Sequence, residues 1–108
     1  MGRGLLQVGE GSDRMTIARH YRMDAAEGKA AALLAALQAL AAALQRADGF
    51  EGADLLRDID RPDRFVFIEK WASVDAHKAA GPHIPEHVVA PLMEALAGEP
   101  DGSYLNYQ

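Results

Sequence analysis

Three of the four histidines in this chain follow closely on its only tryptophan, in "FVFIEKWASVDAHKAAGPHIPEH". A flat indole can stack against a planar ligand, and a neutral imidazole can take a proton from it. Trp71 and Phe67 therefore read as a candidate ring-binding wall, with His77 or His83 as the base. Glu69 falls on the same strand face, where an apolar setting would raise its pKa and suit it to acid–base work. Each residue also has a plainer reading. That plainer reading is favoured for Trp71 as a core plug and for Glu69 as the cross-strand partner of Arg19. The histidines serve equally as surface residues. Tyr21, Tyr104 and Tyr107 are each able to donate a hydrogen bond into a pocket. His83 and His87 are four apart, and with His77 they spell H-x5-H-x3-H, a spacing open to a divalent metal. Pro85 interrupts that span, and Glu86 is the one acidic residue close by, so no metal site is expected.

The chain around these residues is that of an ordinary globular domain. It has 108 residues, 49% hydrophobic and 25% charged, enough for one core. Its formal net charge is −5 with scattered Lys and Arg, which argues against nucleic acid as a partner. The alanine-rich run at 29–46 is too interrupted for a membrane span. No leader pattern is evident, and the absence of cysteine fits a cytoplasmic protein while excluding disulfides and thiolate chemistry. Residues 1–14 are rich in glycine and charge without a period, and read as a flexible arm. Met15 is then a candidate natural start, with a single domain over 15–108.

Residues 15–23, "MTIARHYRM", read as a first strand that places Tyr21 and Arg19 on one face. Asp24 and Glu27 form a capping-box pattern, so a helix is expected from there to about Ala47, with Gly49 as its C-terminal cap. Leu33, Leu37, Leu40 and Leu44 give it an apolar stripe. "EGADLLRDI" and "RFVFIEKW" read as a hairpin joined by the turn-like "DRPD". Ser73 caps a short helix that Gly81-Pro82 ends. Pro85 opens a last helix to about Leu96, in which Pro91 is expected to make a kink or break. "SYLNYQ" supplies a fourth strand. This order predicts an α+β, ferredoxin-like split βαβ fold, a four-stranded antiparallel sheet with helices on one face.

The third strand is apolar on both faces, with Phe65, Phe67 and Trp71 on one and Val66 and Ile68 on the other. Helices are available for one face only. A second copy of the chain is the simplest cover for the other, so a homodimer through the sheet face is expected.

At this level of detail the sequence resembles the antibiotic biosynthesis monooxygenase family, whose members are dimeric α+β barrels. The resemblance rests on "ADGFEGADLLRD", on "FVFIEKWASVDAH" with its strand ending in Glu-x-Trp, and on "GPHIPEHV". It runs from about Met15 to the C-terminus. It implies oxygenation of an electron-rich aromatic by O₂ without flavin, haem or metal. On that view Trp71, Phe67, Tyr21, Glu69 and His87 bind a phenol or hydroquinone, and His83 or His77 is the base. A dimeric binding domain without turnover and an oxygen-independent isomerase are alternatives on the same scaffold. Haem degradation fits poorly, since the first strand lacks asparagine and the helix after Ser73 lacks tryptophan.

Overall fold

A computed structural model describes residues 16–108. The arm expected over residues 1–14 lies outside the described residues, as does Met15. The elements run β1 (Ile17–Asp24), α1 (Ala30–Leu44), β2 (Phe50–Arg57), β3 (Arg64–Trp71), α2 (Val74–Ala80), a 3-10 turn (Gly81–His83), α3 (Glu86–Ala95) and β4 (Asp101–Asn106). The strands form one antiparallel sheet in the order β2-β3-β1-β4. This is the ferredoxin-like arrangement expected from the sequence. Among the described residues no helix is long and apolar enough to cross a membrane.

Alternation along β3 sets the layers. Phe65, Phe67, Glu69 and Trp71 are buried beneath the helices, while the residues between them are only partly covered. Leu33, Leu37, Leu40 and Leu44 of α1 meet that face, and with Phe65 and Phe67 they build the core. Helix α3 packs against α1. Its end is tied back to β1 by the backbone bonds Ala26 N to Ala95 O (2.9 Å) and Ala97 N to Asp24 O (2.8 Å).

Two boundaries differ from expectation for identifiable reasons. Asp24 does not cap α1. It ends β1, and its carboxylate takes Nε of Arg64 at 2.8 Å and Nη2 at 3.1 Å from the adjoining strand. That bidentate pair outcompetes a capping role, and it holds the Asp24 acid below its ordinary range. Gly28, at φ 75°, turns the chain instead, and α1 starts at Ala30 without a side-chain cap. Gly49 likewise is not the cap of α1, which ends at Leu44. With φ 83° it turns the chain into β2, and a Cβ there would lie 2.7 Å from Cβ of Ala76. Its bare backbone lets α2 sit close over the sheet. Of the kink or break expected at Pro91, the break does not occur, since α3 runs through it from Glu86 to Ala95.

Other local expectations are met. Asp58 Oδ1 accepts from Asp60 N (2.8 Å) and Arg61 N (3.0 Å), closing the hairpin turn. Ser73 Oγ accepts from Ala76 N at 3.0 Å, which caps α2.

Candidate functional site

The helix-covered face of the sheet is not filled along its whole length. Where β3 ends, a cavity of about 350 Å³ opens between sheet and helices. Its floor is Tyr21 and Met23 of β1 with Glu69 and Trp71 of β3. Leu40 and Leu44 of α1 close one side. His77, Lys78 and Ala80 of α2 border it, and Val89, Leu92 and Met93 of α3 complete the wall. The broad apolar face of α3 thus lines space as well as core. Such a lining of aliphatic and aromatic groups with a few convergent polar atoms is the usual form of a small-molecule site.

His77 is the centre of the polar groups. Ser73 fixes the phase of α2, and His77 N reaches Ser73 O at 3.3 Å. The imidazole is thereby directed at the sheet. Its Nε2 lies 3.0 Å from Tyr21 Oη, and its Nδ1 lies 2.7 Å from Tyr104 Oη. Glu69 Oε1 is 3.7 Å from Nε2. The Trp71 and Tyr104 rings stand edge-on to the imidazole, with centroids at 5.6 and 5.4 Å.

Electrostatics keep this ring neutral. Burial lowers the His77 pKa below its ordinary value, and the charges of Arg19 and Lys78 act in the same direction. Burial also raises the Glu69 acid, against the hydrogen bond from Trp71 and the charge of Arg19. It raises the Tyr21 phenol as well, outweighing the opposing influence of the Arg19 guanidinium. A neutral imidazole in a largely apolar setting is the form a general base requires.

Trp71 combines both of its readings. It is fully buried, packed edge-on against Phe50 with centroids 5.2 Å apart, and it also forms cavity wall. Its Nε1 donates to Glu69 Oε1 at 2.9 Å. The register does set Arg19 opposite Glu69, yet the guanidinium lies elsewhere. It stacks over the rings of Tyr21 (4.8 Å) and Tyr104 (4.3 Å). Gly102 makes room for it, since a Cβ there would lie 2.5 Å from Arg19 Nη2.

The remaining expected residues are placed apart from this cluster. Phe67 is wholly buried in the core beyond the cavity. His83 is exposed in the 3-10 turn and borders a separate pocket of about 350 Å³ beside Arg46 and Asp48. His87 is exposed on the first turn of α3. The three histidines do not converge, and no group of three or more His, Asp or Glu side chains suited to a metal occurs among the described residues. The sequence offers Tyr104 only as one of three tyrosines able to donate into a pocket, and Arg19 only as the partner of Glu69, and links neither to His77. The signal lay in the β1–β4 register, which pairs Arg19 with Tyr104 and Tyr21 with Gly102.

Among solved structures, SnoaB, a cofactor-independent oxygenase from Streptomyces nogalater, is 21% identical with a TM-score of 0.74 over 86% of this chain and 93% of its own. PA3566 from Pseudomonas aeruginosa is 24% identical, TM-score 0.73, covering 87% of this chain and 95% of its own. Rv0793 from Mycobacterium tuberculosis is 24% identical, TM-score 0.69, covering 83% and 92%. At these identities the likeness establishes the fold. No curated protein sequence matches the chain. Residues 16–81, more than half of the 108, match the antibiotic biosynthesis monooxygenase family. The chain belongs to that family.

Proposed function

We propose that this protein is a cofactor-independent monooxygenase that oxidises a flat phenolic or hydroquinone-type substrate with O₂. The observation that carries this reading is the apolar cavity whose one neutral base, His77, is held by Tyr21 beside the Trp71 wall. The family match and the likeness to SnoaB support it. A phenol held in the cavity gives its proton to Nε2 of His77, directly or through Tyr21. Glu69 Oε1, 3.7 Å away, then faces the imidazolium and stabilises it. The substrate anion passes an electron to O₂, and the two radicals combine at a ring carbon. One oxygen atom stays as a new carbonyl in place of two hydrogens, and the other leaves as water.

The test is oxygen uptake with hydroquinones and anthrones in chelator-treated buffer without added cofactor. Uptake above the spontaneous rate is expected. His77→Ala should lower kcat by about 100-fold or more, within the range for losing a general base. For the native chain kcat/KM should fall with acidity below pH 6.5, because protonation of His77 removes the base. Turnover under strictly anaerobic conditions would identify an isomerase and overturn the reading.

The sheet face away from the helices supports a homodimer. Leu56 and Leu105 are each 49% exposed there, on either side of the partly covered Val66 and Ile68. A second copy laid face to face removes this surface from water. Sedimentation as a monomer at micromolar concentration would sink the dimer.

A further inference from the structure

Tyr104 does not line the cavity, yet it holds the far side of the base at 2.7 Å and is 36% exposed. We propose that Tyr104 is a positioning residue that fixes the tautomer of His77 and passes its proton to solvent. This rests on the reading of His77 as the base.

The assignment follows from where each proton can go. A neutral imidazole has one N–H and one bare nitrogen. Tyr21 is half-buried, and the acceptor within reach of its hydroxyl is His77 Nε2 at 3.0 Å. Its neighbour Arg19 offers donors only. If Nε2 carried the ring proton, the Tyr21 hydroxyl would lose its 3.0 Å acceptor and turn its own proton toward the largely apolar cavity, which costs free energy. If Nδ1 carries it, Nδ1–H donates to Tyr104 Oη and Tyr21 donates to bare Nε2. Tyr104 then donates to water, which its exposure allows.

The groups facing His77 are Arg19 and Tyr21 on β1, Glu69 and Trp71 on β3, Tyr104 on β4 and Lys78 beside it on α2. Of the two hydroxyls hydrogen-bonded to the ring, Tyr104 is the more exposed, so it joins the ring to solvent more directly than Tyr21. When Nε2 accepts the substrate proton, Nδ1 releases its own to Tyr104 Oη, and the phenolic proton of Tyr104 leaves to water. The imidazole is again neutral, now with its proton on Nε2, and the charge stays on the substrate anion; Nε2 gives that proton up when water is formed, and Nδ1 regains one from solvent through Tyr104.

The test is ¹⁵N–¹H imidazole NMR on the full chain, at a pH where His77 is neutral. The native protein should show the Nδ1–H form. Tyr104→Phe, which deletes one exposed hydroxyl, should move His77 to the Nε2–H form. It should also lower kcat roughly tenfold, the worth of one hydrogen bond, with KM unchanged. Nε2–H in the native chain, or an unaltered tautomer in Tyr104→Phe, overturns the proposal. These spectra need no turnover. An Nδ1–H native form in a chain that consumes no oxygen would uphold the tautomer assignment and reject the oxygenase reading.

Discussion

The buried face of β3 has two ends that use the same alternation differently. At Phe65 and Phe67 the face is filled by Leu33 and Leu37 of α1, and the Arg57 guanidinium stacks on the Phe65 ring at 4.9 Å. At Glu69 and Trp71 the same face borders an open volume, and a carboxyl and an indole N–H satisfy each other at 2.9 Å. One strand thus serves stability at one end and a site at the other. A core position is recognised by its being filled, and a site by buried polar groups beside unfilled space.

Substitutions can break this contrast. Phe67→Ala should produce the largest effect, a loss of about 3–5 kcal/mol of stability, because the filled end leaves no easy collapse. Denaturant unfolding measures it. His77→Ala, which borders space already present, should cost less stability while removing turnover. Equal losses from both would mean that the two ends are not distinct.

A smaller effect separates the ends through pH. Burial raises the Glu69 acid above its ordinary 4.5. Above pH 4.5 the folded chain therefore keeps a proton that the unfolded chain has released. Stability from this group then falls as pH rises through that window. Glu69→Gln retains an oxygen to accept from Trp71 and removes the titration. Its stability should rise relative to the native chain as pH climbs from 4.5 toward neutrality. Parallel pH profiles would show that Glu69 is not held in a desolvating site.

The filled end was the more legible in sequence. Alternation from Arg64 to Trp71 fixes β3 and its two faces, and the leucine spacing fixes the stripe of α1. The start of α1 was not legible, because Asp24-x-x-Glu27 looks like a capping box while Arg64 lies forty residues away in the chain. The choice among histidines was only partly legible. Val74, His77 and Ala80 share one side of α2, opposite Asp75 and Ala79, and that pattern points His77 inward. His83 and His87 flank Pro85, where helical phase is lost. The role of Tyr104 depended on a strand register that no local motif encodes.

The site claim is tested most directly by the fluorescence of Trp71, the only tryptophan in the chain. A hydroquinone or anthrone titrated in without oxygen should change that emission saturably, since the indole forms the cavity wall. Emission that stays constant while the same compound is turned over in air would place the chemistry outside this cavity and contradict the account.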